Sequence, residues 1–283
     1  MSNMIMTVGL PGSGKTTWAS AQEGYEVFSS DAIRQELGDV NDQTQNDKAF
    51  RILHKRIKEA LEDGKDCIYD ATNVTAKNRR AFLSYINDTH CHRVARIFVR
   101  SFDTIREQNE SRSRAVPPEA IKKMLYRWQT PIVQEGFDEI VLDLLDNESY
   151  EMYFSNMDQD NSHHTLSLFG HMLEANRLLP EDADEDLRHA ALIHDMGKYW
   201  TKTFTDSKGY PSMSAHYYNH ENVGAYMCLL WDNDLYTSGL ITWHMRPFVW
   251  DEHPHVKEKD RKWMGDDYIR KLEILHKADL EAK

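Results

Sequence analysis

A segment near the amino terminus has the residue types needed to bind the phosphates of a nucleotide. Residues 9–16 read GLPGSGKT and match the pattern GxxxxGK[ST], with an apolar run before them and a helical pattern after them. Gly12 and Gly14 free backbone N–H groups to surround a phosphate at a helix N-terminus. Lys15 can extend to the outer phosphates, and Thr16 offers a hydroxyl to Mg²⁺. The predicted nucleotide contacts are Gly9, Gly12, Ser13, Gly14, Lys15, Thr16 and Thr17.

Polar residues follow the second and third apolar runs, where an acceptor for a phosphoryl group would bind. Asp31 and Arg34 are three residues apart and therefore share one face of a helix. Asp31 can accept the proton of a hydroxyl while Arg34 binds a nearby phosphate; the alternative is that Asp31 only caps a helix. Asp70 and Asn73 come at the edge where open α/β sheets bind ligands. We expect Asp70 to contact a metal or Arg34, and Asn73 to orient the substrate.

A segment rich in arginine and lysine extends from Arg106 to Arg127 around two consecutive prolines. One interpretation is a basic lid over the nucleotide, with Arg112 and Arg114 as its phosphate contacts. The other is a solvated cationic helix. The two remain open at this point.

Histidines and carboxylates in the second half form a pattern typical of a metal site. The candidate ligands are His171, His194, Asp195, His220, His244 and Asp279. Imidazole and carboxylate suit Mn²⁺, Ni²⁺, Zn²⁺ or Fe²⁺. The doublet His194-Asp195 lies in an apolar stretch, where a buried carboxylate is costly unless something binds it. Any one histidine alone would be interpreted as a surface or core residue, as we interpret His163, His189, His216, His253, His255 and His276.

The hydrophobic pattern of the first half predicts a parallel sheet flanked by helices, in βαβ units. Strands are predicted at Ile5–Gly9, Tyr25–Ser29, Cys67–Asp70, Val94–Val99 and Ile140–Leu142. Helices are predicted at Lys15–Gln22, Asp31–Leu37, Gln45–Asp63, Ala76–Ile86, Thr104–Arg112 and Pro118–Trp128. This order brings the phosphate loop and the polar residues to one edge of the sheet.

The second half is predicted to be a helical domain. Its helices are expected at Thr165–Leu178, Asp184–Lys198, Asn219–Leu230, Tyr236–His244 and Asp266–Ala282. Residues 1–146 carry 20 Lys+Arg against 22 Asp+Glu, whereas the remaining residues carry 14 against 24. Eleven of the 14 histidines also follow this point. We therefore predict two domains, 1–146 and 150–283.

Composition excludes several classes of protein. The chain of 283 residues has a net charge of -12, which argues against a broad basic surface for duplex binding but permits a local groove for one strand end. No apolar run approaches the roughly 18 residues of a membrane span, so no membrane partner and a cytoplasmic location are expected. The cysteines Cys67, Cys91 and Cys228 lack any CxxC spacing and are predicted to be reduced, buried thiols.

At four segments the first half resembles the kinase domain of polynucleotide 5′-hydroxyl kinases, over about residues 1–143. These segments read GLPGSGKTTWA, SSDAIR, YDATN and SRSRAVPPEAI. The resemblance implies ATP and Mg²⁺ at Lys15 and Thr16, Asp31 as general base and Arg34 on the 3′ phosphate of the acceptor. It also implies catalytic positions for Asp70, Asn73 and the lid arginine Arg112. The family lid often reads Arg-Asn-x-x-Arg, whereas Gln108 replaces the first arginine here.

The second half resembles the HD superfamily of metal-dependent phosphohydrolases, over roughly residues 155–283. The matching segments read HHTLSLFGHML, AALIHDMGK, HYYNHENVGAYM, ITWHMRP and LHKADLEA. The resemblance implies that His171, His194, Asp195 and Asp279 ligate one divalent transition metal, and that His220 and His244 extend the site to a second. Lys198 or His164 would meet phosphate. One ion and two ions both remain open.

The two resemblances together favour a bifunctional enzyme that heals the ends of broken nucleic acid. It would phosphorylate 5′-OH ends of RNA or DNA and hydrolyse 2′,3′-cyclic phosphate or 2′/3′-phosphate ends, before hand-off to a ligase. The alternative is a nucleotide-metabolism enzyme with a small nucleoside kinase and an HD nucleotide phosphohydrolase. A nucleotide-sensing regulator without turnover is the third interpretation. The sequence leaves the metal, the preferred nucleic acid and the oligomeric state open.

Overall fold

The chain divides into two compact units in a computed structural model that describes residues 2–38, 46–112, 114–144, 157–161 and 165–282. One unit comprises Met1–Ile121 and Pro131–Asp146, and the other comprises Lys122–Thr130 and Asn147–Lys283. No helix among the described residues is long and apolar enough to cross a membrane. All three cysteines are free and buried, which confirms that prediction.

The first unit is built on a five-stranded sheet in which every pairing is parallel, in the order β2-β3-β1-β4-β5. The strands are β1 (Ser2–Gly9), β2 (Tyr25–Ser29), β3 (Asp66–Asp70), β4 (Cys91–Val99) and β5 (Glu139–Leu144). The helices are α1 (Lys15–Ser20), α2 (Ser30–Glu36), α3 (Asn46–Glu62), α4 (Ala76–Tyr85) and α5 (Phe102–Glu110), with a 3₁₀ turn at Val133–Glu135. Helix α6 (Pro118–Leu125) begins in this unit, and its residues from Lys122 onward belong to the second. The predicted α/β fold class is confirmed.

The central strand β1 explains why the sheet forms here. Met4, Met6 and Val8 are completely buried, as is typical of a parallel strand covered by helices. The strand also begins earlier than the apolar run predicted, because Ser2 and Asn3 pair with Cys91 and His92 at the polar end of β4. The hydrogen-bonded part of β1 therefore begins before the apolar residues from which the strand was predicted.

A buried ion pair anchors α4 behind the sheet edge. Arg79 and Glu135 are both fully buried, and the guanidinium donates to the two carboxylate oxygens at 2.8 and 2.7 Å. A third donor of Arg79 binds the carbonyl oxygen of Asn73 at 2.9 Å. The pair thus fixes the loop that follows β3, one of the loops expected to hold substrate.

The histidine on α3 predicts a pH dependence of stability. The ring of His54 packs against Tyr69 and Phe82, and burial lowers its pKa from 6.5 to about 4. The unfolded chain therefore binds this proton first, so the contribution to stability is complete above pH 6.5 and is lost as the pH falls through 4. Between pH 7 and 5 the unfolding free energy should fall by about 1–2 kcal/mol more in wild type than in His54→Gln. Urea unfolding at the two pH values measures this, and equal losses would contradict it.

The second unit is mostly helical, as predicted, with one two-stranded antiparallel sheet. Its helices are α7 (Leu168–Arg177), α8 (Glu185–Ile193), α9 (Lys198–Thr201), α10 (His220–Asp232), α11 (Leu235–Trp243), α12 (Arg246–Glu252), α13 (Pro254–Met264) and α14 (Asp266–Glu281). The strands are β6 (Thr203–Thr205) and β7 (Pro211–His216). The hairpin corrects the expectation of an all-α unit; its strands are too short and polar to give a β pattern. Two further helices, α12 and α13, were not predicted.

The helix predicted at Asp184–Lys198 is interrupted between Ile193 and Lys198. The turn contains Gly197, where an added Cβ would lie 2.0 Å from the carbonyl oxygen of His220. Only glycine permits this backbone contact. The interruption lies at His194-Asp195, so the chain changes direction at the expected metal ligands.

Residues 122–130 pack within the second unit. Trp128 is completely buried and contacts Tyr226 edge to face, with ring centroids 5.0 Å apart. Thr130 shares a 2.7 Å hydrogen bond with Ser238, and Thr242 accepts from its backbone N–H at 3.3 Å. Through these contacts, residues 122–130 belong to the helical unit although they precede residue 146 in the sequence. The domain boundary at 146–150 stays a prediction.

Candidate active sites

The phosphate loop has the backbone geometry that an anion site requires. Gly14 is the N-cap of α1, and both Gly12 and Gly14 have positive φ, at 83° and 87°. A Cβ at Gly12 would lie 2.7 Å from the carbonyl oxygen of Ile105 in α5. The loop is therefore pressed against α5 where no side chain fits.

The Lys15 ammonium is held inside this loop. It donates to the carbonyl oxygen of Leu10 at 2.7 Å and to the Ser13 hydroxyl at 3.2 Å. Burial lowers the pKa of Lys15 to about 8, although the nearby Asp70 carboxylate acts in the opposite direction. The charge is thus concentrated where the outer phosphates of a nucleotide would bind.

Thr16 and Asp70 form a pair of oxygen donors beside the loop. The Thr16 hydroxyl donates to Asp70 Oδ2 at 2.9 Å, and Asp70 is buried at the end of β3. Hydroxyl and carboxylate oxygens are ligands that Mg²⁺ prefers. Of the two contacts expected for Asp70, the one with Arg34 is not seen among the described residues, since Arg34 pairs with Asp31. A metal contact of Asp70 stays a prediction.

Asp31 is available for chemistry because a neighbouring residue caps its helix. The Ser29 hydroxyl accepts from the Asp31 backbone N–H at 3.2 Å, so Ser29 is the N-cap of α2. The Asp31 carboxylate is half exposed and lies 2.5 Å from Arg34 Nη1. Arg34 Nε also donates to Asn46 Oδ1 at 2.9 Å. These contacts hold an acid and a cation together, as the spacing predicted.

Asn73 is bound into the sheet edge. It has a positive φ of 46°, is buried, and donates from Nδ2 to the carbonyl oxygen of Thr7 at 3.0 Å. This contact ties the loop after β3 to β1, beside the phosphate loop. Direct orientation of the substrate by Asn73 stays a prediction.

The lid arginines follow α5. Arg112 is exposed, and its charge lowers the pKa of Lys15, although burial is the larger cause. The buried Asn109 exchanges two 2.9 Å hydrogen bonds with the backbone of Val116 and closes the intervening loop. Arg114 is partly buried in that loop. Closure of a lid on nucleotide stays a prediction.

Four histidines of the second unit share one orientation. The Nδ1 atoms of His171, His194, His220 and His244 lie 2.5, 2.9, 2.9 and 2.7 Å from the backbone carbonyl oxygens of Ala282, Ala191, Tyr217 and Ile241. A carbonyl can only accept, so each Nδ1 carries a proton, and Nε2 is the ring atom left to bind a metal. Hydrogen bonds from the other ring nitrogen to backbone carbonyls are typical of metal-binding histidines.

The Nε2 atoms converge on two carboxylates. His171 Nε2 lies 3.2 Å from Asp195 Oδ2 and 3.0 Å from Asp279 Oδ1, and His194 Nε2 lies 3.5 Å from both oxygens. His220 Nε2 lies 3.0 Å from Asp195 Oδ1. Two ligand sets result, each within 4.8 Å, and they share Asp195: His171, His194, Asp195 and Asp279; Asp195, His220 and His244.

The charged and polar groups of this centre favour the binding of a cation. Burial raises the pKa of Asp195, but the charges of Lys198 and His194 outweigh it and keep the pKa well below its usual value. Burial also lowers the pKa of His171, yet its contacts with Asp195 and Asp279 raise it to about 9. His194 Nε2 is buried without a hydrogen-bond partner among the described residues. Divalent cations fit this donor set of imidazole nitrogens and carboxylate oxygens.

A lysine completes the centre. Lys198 Nζ lies 2.5 Å from Asp195 Oδ2 and donates to Gln159 Oε1 at 3.0 Å. The Tyr217 ring lies 5.4 Å from the same ammonium, and its hydroxyl donates to the Gln159 carbonyl. Gln159 and Tyr217 were not identified from the sequence, because they approach Lys198 only in the folded unit. His164 lies outside the described residues.

Two regions of the chain match known domain families. Residues 4–131 match the family described as AAA domain, and residues 161–281 match the family described as HD domain. The chain joins an AAA domain to an HD domain. This confirms the resemblance of each half at the level of the domain, and the two centres described above lie one in each.

Among curated proteins, part of this chain is similar to a viral protein. It is proposed to be a bifunctional polynucleotide kinase/RNA ligase of Autographa californica nuclear polyhedrosis virus, 25% identical over 137 residues. The match covers 42% of this chain and 20% of the relative, so the chain spans about a fifth of that protein's length.

Two solved structures are also similar. A protein from Chloroflexus aurantiacus proposed to be a kinase has a TM-score of 0.43 and 19% identity, covering 50% of this chain and 84% of its own. A chain of the Pnkp1/Rnl/Hen1 RNA repair complex has a TM-score of 0.42 and 18% identity, covering 57% and 53%.

Proposed function

We propose that this protein heals nucleic-acid ends, with a 5′-hydroxyl kinase in the AAA domain and a metal-dependent phosphohydrolase in the HD domain. The observation that carries the proposal is the presence of two complete centres in one chain. The AAA domain combines a phosphate loop with an acid–arginine pair, and the HD domain combines four histidines with two carboxylates. The viral relative, proposed to be a polynucleotide kinase/RNA ligase, supports a polynucleotide as the acceptor.

In the kinase reaction, the AAA domain residues orient ATP and the 5′-OH end. Lys15 and the loop N–H groups bind the β and γ phosphates, and Thr16 with Asp70 supplies oxygen ligands for Mg²⁺. Asp31 accepts the hydroxyl proton as the new P–O bond forms and ADP leaves. Arg34 holds the phosphate 3′ to that hydroxyl and pairs with Asp31. Arg112 and Arg114 stabilise charge on the phosphates from the lid.

For the phosphohydrolase reaction, His171, His194, Asp195 and Asp279 would hold one divalent metal, and Asp195 with His220 and His244 would hold a second. When bound, such metals activate water and offset charge on phosphate oxygens. Asp195 serves both sets through its two oxygens. Lys198, already 2.5 Å from Asp195, is placed to bind a phosphate oxygen of the substrate. We propose 2′,3′-cyclic phosphate and 2′/3′-phosphate ends as substrates.

The experiment that tests the kinase half compares three acceptors with ATP: a 5′-OH oligonucleotide, a nucleoside 3′-monophosphate and a plain nucleoside. Transfer to the first two but not to the third supports the proposal. For the HD domain, ring opening is measured for 2′,3′-cyclic RNA ends, and phosphate release is measured for 2′- and 3′-phosphate RNA ends and for free deoxynucleotides. Hydrolysis confined to free deoxynucleotides would favour the nucleotide-metabolism enzyme instead.

Replacing Arg34 with alanine should weaken use of oligonucleotides without weakening ATP binding. A charge-assisted contact to phosphate contributes about 1.5–3 kcal/mol, so kcat/KM for the oligonucleotide should fall about tenfold to hundredfold. The matched control is Arg51→Ala, an exposed arginine on α3. A loss of similar size is expected with a nucleoside 3′-monophosphate as acceptor, and equal wild-type activity on nucleosides with and without a 3′ phosphate would refute the role.

A further inference from the structure

The hairpin of the HD domain begins and ends next to the metal centre. Its strands lie between Lys198 and His220 in the sequence, and both of these residues contact Asp195, at 2.5 and 3.0 Å. The backbone contact between Gly197 and the His220 carbonyl closes the base of this segment. Residues 198–218, named the hairpin segment below, therefore project from the edge of the centre.

Exposed apolar side chains are concentrated on the hairpin segment. Among the described residues, 12 large hydrophobic side chains are exposed, and five of them lie in these 21 positions. They are Tyr199, Phe204, Tyr210, Met213 and Tyr218, with Tyr210 66% and Met213 99% exposed. Such side chains are usually scattered singly, so their concentration here indicates a binding surface.

The charge of the hairpin segment differs from that of its domain. It carries three lysines and one aspartate, whereas residues 147–283 carry 14 Lys+Arg and 24 Asp+Glu. The Lys202 ammonium lies 5.9 Å from the Phe204 ring, although it also pairs with Asp160 at 2.5 Å. Cationic side chains among exposed rings suit a polyanion with flat bases, which is a single-stranded nucleic acid.

The aromatic surface is continuous with the centre. The Tyr218 and His216 rings are stacked, 5.4 Å apart at 6°, and Tyr218 follows Tyr217, whose ring lies 5.4 Å from the Lys198 ammonium. A strand whose terminal phosphate meets Lys198 would pass its next bases over these rings.

We propose that the hairpin segment binds the single strand that precedes the end being hydrolysed. This inference rests on the proposed function of the HD domain. It adds the surface on which the nucleic-acid substrate of that domain would lie. Stacking on aromatic rings tolerates any base, since every base has a π face. The hairpin would therefore favour polynucleotide ends over mononucleotides without reading sequence.

The test uses the full chain with the double substitution Phe204→Ser and Tyr210→Ser. Binding of a short 5′-phosphorylated, 3′-phosphorylated RNA, measured by fluorescence anisotropy, should weaken about tenfold to hundredfold. Hydrolysis of bis-p-nitrophenyl phosphate, which is too small to reach the hairpin, should not change. Leu173→Ser removes an exposed apolar side chain of the same domain and is the matched control. It should leave both readouts at the wild-type level.

The outcomes separate this inference from the proposed function. Weakened RNA binding by the double variant supports the hairpin site even if wild type releases no phosphate from RNA, a result that would refute the proposed substrate. Wild-type hydrolysis of RNA ends with unchanged binding by the double variant would overturn the hairpin site alone. Sedimentation that shows self-association lost in the double variant, with RNA binding intact, would overturn it in favour of a second copy as the occupant.

Discussion

Replacing Asp195 with asparagine should abolish metal-dependent phosphate release while leaving the kinase activity intact. Asp195 belongs to both ligand sets and contacts Lys198 and His220. The substitution keeps the volume of the side chain but removes its negative charge, so metal affinity should fall together with activity. Metals contribute several kcal/mol to charge stabilisation, so release should fall by about a thousandfold or more.

Metal content and phosphate release are both measured for this prediction. Asp182→Asn, an exposed aspartate of the same domain, is the matched control and should retain its metal and activity. A chelator selective for transition metals, with Mg²⁺ in excess, should reproduce the loss in wild type while sparing the kinase. Retention of both metal and activity by Asp195→Asn would rule out its ligand role.

Two substitutions in the AAA domain should abolish phosphoryl transfer in different ways. Lys15→Ala removes the ammonium that the loop holds against the phosphates, and such contacts are worth on the order of 3 kcal/mol or more, so transfer should fall more than a hundredfold. Asp31→Asn removes the proposed general base, which should lower kcat by about 10²–10⁴-fold. ATP binding should be lost only in the lysine variant.

The pH profile distinguishes a general base from a structural aspartate. If a general base accepts the hydroxyl proton, the pH profile of wild-type kcat should have an acidic limb, and the residual activity of Asp31→Asn should lack that limb. Asp63→Asn, exposed in the same unit, is the control. Near wild-type kcat in Asp31→Asn at every pH would exclude the general-base role. Phosphate release by the HD domain should persist in both Lys15→Ala and Asp31→Asn.

Local signals in the sequence were sufficient for the phosphate loop and for most of the elements. The run of residues 9–16 is contiguous, so its glycines and Lys15 could be assigned without a fold. Strand β2 has the predicted bounds at Tyr25–Ser29, and the order of apolar runs predicted the parallel sheet. These features depend on residues close in sequence, where periodicity and turn chemistry act directly.

The hairpin was beyond sequence analysis for a physical reason. Its strands of three and six residues are stabilised partly by contacts with distant segments, such as the Ala215 N–H donating to the Asp160 carbonyl at 2.8 Å. A short polar strand has no hydrophobic period to detect.

The cap of α2 also required the folded structure. Ser29 rather than Asp31 caps this helix, and only the folded geometry shows which of the two side chains does so.

What the sequence determined by itself is the chemistry of the chain: a phosphate loop, an acid–arginine pair, and a set of histidines and carboxylates in the second half. Only the tertiary structure decided that these last residues form two sets that share Asp195, with all four Nδ1 atoms committed to backbone carbonyls. His171 and Asp279 are separated by more than a hundred positions, yet their side chains lie 3.0 Å apart. Packing of α7 against α14 brings them together, because burial of apolar helix faces, rather than any local pattern, fixes which polar atoms meet.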